Sequence, residues 1–155
     1  MLKKSVISLI SYDAEYLPSS IKTYYDYVDE IVLGLDKNRV TWSKNKFSFD
    51  EQKLWSQLSE LDGDKKITII EENFVKSDKA IENDNYERNF LKEQCSNDWI
   101  FSFDADEELL NAKEFFTDYL PLVETYYDTA DILMTWATPF KTIEDKTLVI
   151  CNTDG

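Results

Sequence analysis

A chain of 155 residues with 43% hydrophobic and 14% aromatic side chains, and only three Gly and three Pro, has the composition of one ordered globular domain, long enough to bury a core without disulfides or a structural metal. Its 31 acidic against 17 basic side chains leave a net charge of −14, a field that repels nucleic acid. It has no histidine, which removes Ser-His-Asp and Cys-His chemistry because both need an imidazole to take the nucleophile's proton, and its two isolated thiols, Cys95 and Cys151, form neither a zinc pattern nor a disulfide framework.

Residues 5–11 form a β-branched, nearly continuous apolar run, the pattern of a strand buried on both faces of a parallel sheet. Residues 16–27 then read as a helix on Leu17, Ile21, Tyr24, Tyr25 and Val28, with Pro18 placed early, where a helix tolerates it. Residues 30–35 give a second buried strand ending at Asp36, followed by a polar stretch, 37–47, with no clear period. A helix over 50–61, built on Leu54, Trp55, Leu58 and Leu61, is stopped by Asp62-Gly63-Asp64 and leads to a third strand at 67–70. Residues 71–85 are mostly polar; Tyr86, Phe90 and Leu91 mark the next helix, and residues 99–103 make a fourth strand running straight into Asp104. Beyond it the pattern predicts a helix over 112–127 and strands at 132–136 and 147–150. The four tryptophans, Trp42, Trp55, Trp99 and Trp136, are expected as core or rim residues without a catalytic role.

This alternation predicts a three-layer α/β/α, Rossmann-like domain on a mostly parallel sheet, in which ligands bind beyond the carboxyl ends of the strands. Asp13, Asp36 and Asp104 each follow a predicted strand, so one rim collects three carboxylates. Asp104-Ala105-Asp106 sets two carboxylates two residues apart, an oxygen-donor pair suited to Mg²⁺ or Mn²⁺. An anionic ligand on so acidic a chain needs such a cation to invert the local charge. Each residue also has a plainer reading: an acidic turn for the Asp104 tripeptide, an N-cap for Asp13 and a solvated loop carboxylate for Asp36.

The order of these motifs resembles the nucleotide-sugar-binding half of a GT-A-type glycosyltransferase of family 2. Ile10-Ser11-Tyr12-Asp13-Ala14-Glu15 looks like the family's polar motif after the first strand, and Asp29-Glu30-Ile31-Val32-Leu33-Gly34-Leu35-Asp36 looks like its second strand with a terminal acid. Thr41 and Trp42 fall where the family often has a small polar cluster, and Tyr86-Glu87-Arg88-Asn89-Phe90 is similar to its Arg-Asn element. The resemblance, which covers about residues 4–110, implies donor contacts at Ser11, Asp13, Asp36, Arg88 and Asp104, and a metal held by Asp104 and Asp106, the latter first. Arg88 enters as a diphosphate or helix-positioning contact; its plain alternative is a surface ion pair. The implied donor is a nucleoside-diphosphate sugar, with a uridine diphosphate favoured, and the implied acceptor is a carbohydrate or a lipid-linked group.

The family's acceptor region and general base lie further along, and nothing after Tyr126 forms a recognisable base motif; Glu144-Asp145 is the adjacent acidic pair there. The expectation is therefore a complete or partial transferase, or a donor-binding unit that is naturally short or belongs to a longer protein, with exposed apolar surface that invites a homodimer. Two alternatives stand beside it: a non-catalytic nucleotide-sugar-binding module, and a haloacid-dehalogenase-like phosphatase, whose Asp-x-Asp motif follows the first strand instead of the fourth. No apolar run approaches the ~18 residues that span a bilayer, so the expected location is the cytoplasm, with the inner face of the membrane left open as a peripheral site.

Overall fold

In the computed structural model, which describes residues 2–135, 137–144 and 146–151, the two apolar runs near the N-terminus lie side by side. They form β1 (Lys4–Ile10) and β2 (Glu30–Asp36), paired in parallel from Ser5 opposite Glu30 to Ile10 opposite Leu35. β3 (Ile67–Glu72) joins the far side of β2 and β4 (Trp99–Ser102) the far side of β1, giving the all-parallel order β3-β2-β1-β4. Every residue of β1 is buried, as a central parallel strand covered on both faces requires. The edge strands are correspondingly wetter.

Alternation along these strands feeds two cores. Val6, Ile10, Ile31, Leu33 and Leu35 face α1 (Leu17–Tyr24), α2 (Glu51–Leu61) and the segment carrying Phe116 and Leu120. Ile7, Leu9 and Val32 face the opposite way, onto Phe74 and onto Leu91 of α3 (Ala80–Gln94). Helices thus flank both faces of the sheet, the α/β architecture expected. α1 continues as a 3₁₀ turn at Tyr25–Tyr27, and α2 starts where Asp50 accepts a hydrogen bond from the Lys53 N–H at 3.0 Å, a cap typically contributing ~1 kcal/mol.

Gly34 explains how closely α3 lies on the sheet. A Cβ at this position would stand 2.7 Å from Leu91 Cδ1 and 2.9 Å from Glu87 Oε1, so a side chain would force these two α3 side chains to shift.

The C-terminal portion departs from the sequence expectation. The helix predicted over 112–127 is divided into α4 (Ala112–Glu114), a π-helical turn at Phe115–Tyr119 and α5 (Leu120–Tyr126). Pro121 lies at the start of α5; its ring and missing N–H disfavour a regular turn before it, which the wider turn accommodates. Residues 132–135 form no strand, while Trp136 lies outside the described residues. The strand expected at 147–150 is present as β6 (Lys146–Cys151); its partner is the unexpected β5 (Ala137–Ile143), paired antiparallel with it in a sheet separate from the parallel one. Among the described residues no helix is long and apolar enough to cross a membrane.

Candidate functional site

A cleft of about 580 Å³ opens at the carboxyl ends of the parallel strands, lined by the loops after β1, β2 and β4 and by one residue of α3. Of the residues singled out from sequence, Ser11, Asp13, Asp36, Asp104 and Asp106 all line it. Residues more than ninety positions apart in the chain thereby meet because parallel crossovers deliver successive strand ends to one rim.

The turn after β1 runs through hydrogen bonds from Ala14 N–H to the Ser11 carbonyl and from Tyr16 N–H to the Asp13 carbonyl. The residue preceding α1 is Tyr16, and no side chain caps that helix, so Asp13 is not an N-cap. Its Oδ1 is buried without a hydrogen-bond partner. Burial raises its pKa, and the charges of Asp106 and Asp104 push it the same way, against a hydrogen bond to its own backbone. The Asp13 carboxyl thus carries both a desolvation cost and like-charge repulsion from Asp104 and Asp106, a penalty that a bound cation would relieve.

Asp104-Ala105-Asp106 occupies a turn whose middle residue is an anchor: Ala105 is buried in the core beside α1. Ser20 of α1 donates a 2.5 Å hydrogen bond to the Glu107 carbonyl, and Thr23 Oγ1 accepts from Leu109 N–H at 3.1 Å. The Glu107 carboxylate accepts from the Asp104 N–H at 3.0 Å; burial raises its pKa. The turn is therefore held from behind, while Asp106 is exposed.

Arg88 stands beside the cleft instead of lining it. Its guanidinium donates to Asp84 at 2.6 Å, to Ser102 Oγ at 2.6 Å and to Asp104 Oδ1 at 2.7 Å, so it ties α3 to the end of β4 and fixes Asp104 in place. These are the ion pairs with acidic neighbours that the plain alternative names. Asn89, next to it, is exposed.

Asp36 is buried, and its carboxylate accepts from three backbone N–H groups: Asn38 at 2.8 Å, Val40 at 3.3 Å and Phe74 at 2.9 Å. It is not a solvated loop carboxylate. It organises the segment from 37 to 47, which returns on itself through the Val40–Lys46 bridge and hydrogen bonds between Thr41 and Asn45 and between Phe47 and Arg39. Arg39, at φ 53°, clamps the segment by donating to the Asp36 carbonyl, Glu51 and Glu71. That aperiodic stretch supplies a whole wall of the cleft, including Trp42 and the basic Lys46.

Sequence reasoning missed the floor. Glu87 and Asn83 are buried on the inner face of α3 one turn apart. Asn83 accepts from the N–H groups of Lys76 and Ser77 and donates to the carbonyls of Trp42 and Ser77. Glu87 accepts from Trp42 Nε1 at 2.7 Å and lines the cleft. Burial pushes its carboxyl up to about 7, with Asp36 and Asp84 adding to the shift and the Trp42 hydrogen bond and Arg88 opposing it. The one sequence signal for this pair was their i, i+4 spacing with Leu91, hidden by the exposed or half-buried Tyr86 and Phe90.

Trp42 therefore belongs to the cleft, whereas Trp55 packs edge-on against Phe49 and Trp99 stacks on Phe101. Glu144 lies in the β5–β6 turn at φ 54° and does not line the cleft; Asp145 lies outside the described residues. Among the described residues no group of three or more His, Cys, Asp or Glu is arranged to hold a metal ion by itself. Asp104 and Asp106 are oxygen donors of the kind a hard cation takes, and Asp104 Oδ1 already accepts from Arg88 at 2.7 Å. Comparison with known proteins finds no family model that matches this chain and no curated protein that matches it.

Proposed function

We propose that this chain is the donor-binding unit of a glycosyltransferase, taking a nucleoside-diphosphate sugar, with a uridine diphosphate favoured, and Mg²⁺ or Mn²⁺ in the cleft at the strand ends. The observation that carries the reading is the convergence of Asp13, Asp104 and Asp106 on one cleft, with a carboxylate oxygen of Asp13 left buried and unpartnered. The resemblance of the motif order to family 2 of the GT-A glycosyltransferases supports the same reading.

In it, Asp106 and Asp104 hold the cation, which when bound acts as a Lewis acid and balances the charge of the departing diphosphate. Arg88 keeps Asp104 aimed by its 2.7 Å contact. The wall from Val40 to Phe47, tied down by Asp36, encloses the nucleoside, and Lys46 supplies a positive charge there. The acceptor, a carbohydrate or lipid-linked hydroxyl, needs a carboxylate to take its proton; none of the cleft residues is assigned that role.

Calorimetric titration with uridine and guanosine diphosphates, with and without Mn²⁺, tests the proposal. Metal-dependent binding is the expected result, and no metal-dependent binding of either nucleotide overturns it. Donor binding without transfer or donor hydrolysis would favour a non-catalytic binding module.

A further inference from the structure

Five carboxyl groups line the cleft, from Asp13, Asp36, Glu87, Asp104 and Asp106, while Lys46 is its one basic lining residue among those described. Asp36 is fully engaged by backbone N–H groups, and the turn carboxylates can share a cation. Glu87 is different. It is 6% exposed, sits on α3 under the cleft, and reaches so close to β2 that a Cβ at Gly34 would stand 2.9 Å from its Oε1. Its hydrogen bond to Trp42 Nε1 joins the floor to the wall, and a carboxyl can accept that bond in its neutral form as well as its ionised form. The charged groups that act on it are Asp36 from β2 and Asp84 and Arg88 from its own helix.

We propose that Glu87 is the group through which this cleft takes up a proton when it binds an anionic nucleotide sugar, its neutral carboxyl holding the Trp42 wall while removing one negative charge from the floor. The inference rests on the donor-binding reading above. The proton comes from solvent on binding and returns on release. Because a bound diphosphate disfavours ionised Glu87, binding and protonation reinforce each other by linkage. Glu87 is thus a positioning residue whose charge also sets affinity, and burial places its titration near pH 7. The sign follows: affinity is highest below about pH 6 and falls as pH rises through 7.

The test is calorimetric titration of the protein with uridine-diphosphate glucose and Mg²⁺ between pH 6 and pH 8, a range over which neither phosphate of that ligand titrates. For the unaltered protein the dissociation constant is expected to rise about tenfold over this range, the change for one linked proton that titrates at about 7 in the free protein. Glu87→Gln keeps an acceptor for the Trp42 N–H and carries no charge, so it should bind at every pH about as tightly as the unaltered protein does at pH 6. Glu87→Ala should bind weakly throughout because the wall loses its tether. A ligand-free reading guards against variants that fold poorly: the carbon-13 shift of the Glu87 carboxyl in the unaltered protein should titrate near pH 7, and a midpoint below pH 5.5 would overturn the proposal. Equal affinity across the range, or the same pH slope in Glu87→Gln, also overturns it while leaving donor binding intact. No binding by either protein at any pH overturns donor binding itself and this coupling with it.

Discussion

Asp36 ends β2 and Asp106 lies in the turn after β4, and both line the same cleft, yet their surroundings assign them opposite work. Asp36 is buried, and its oxygens are taken up by three backbone N–H groups that shape the neighbouring wall. Asp106 is exposed on a turn whose neighbours, not itself, are anchored in the core. A carboxylate at a strand end is therefore not a site residue by position alone; what matters is whether its oxygens are already occupied.

The largest effect that sharpens this contrast is Asp36→Ala. It strands three N–H groups around a buried position, and a loss of about 3–5 kcal/mol in urea unfolding is expected, given the cost of unsatisfied buried groups. A loss under about 1 kcal/mol would show that Asp36 is less structural than its bonds suggest.

Glu87→Gln should act in the other direction. A carboxyl whose folded pKa lies at about 7 against an ordinary 4.5 contributes stability that is fully present below 4.5 and is lost as pH rises through 7. The Gln variant should therefore match the unaltered protein near pH 4 and be more stable at pH 8, by about 3 kcal/mol at most. Unfolding curves at both pH values check the sign.

Gly34→Ala tests the contact that brings Glu87 to the floor. Overpacking against Leu91 and Glu87 should cost about 1–3 kcal/mol and loosen the Trp42 wall, seen as a red shift in tryptophan emission. The smallest stability effect belongs to Asp106→Ala, within about 0.5 kcal/mol, although metal-dependent nucleotide binding should disappear. A large destabilisation by Asp106→Ala would break the contrast with Asp36.

Much of the frame was legible because parallel strands buried on both faces leave continuous apolar runs, as in Val6-Ile7-Ser8-Leu9-Ile10 and Ile31-Val32-Leu33. The helix at 50–61 was legible through its Leu54 and Leu58 spacing, and its start one residue later than expected reflects Asp50 serving as the cap. The rim carboxylates followed from strand ends. The floor did not: Asn83 and Glu87 are polar yet buried, and their partners at Trp42, Lys76 and Ser77 lie far off in sequence or in loops without a period. The apolar stretch at 132–135 shows the converse, since β-propensity makes a strand only where a partner pairs with it. The π-helical turn before Pro121 likewise comes from one local backbone constraint inside an otherwise helical pattern.

On the proposed function the Asp104-Ala105-Asp106 turn holds a divalent cation for a nucleotide-sugar donor. The most direct measurement is the anomalous scattering of Mn²⁺ in crystals grown with uridine diphosphate. A single strong peak is expected within coordinating distance of Asp106, between the turn and the diphosphate oxygens, with no such peak in Asp106→Ala crystals. Nucleotide bound in the cleft with no manganese at the turn, or manganese bound elsewhere, would contradict it.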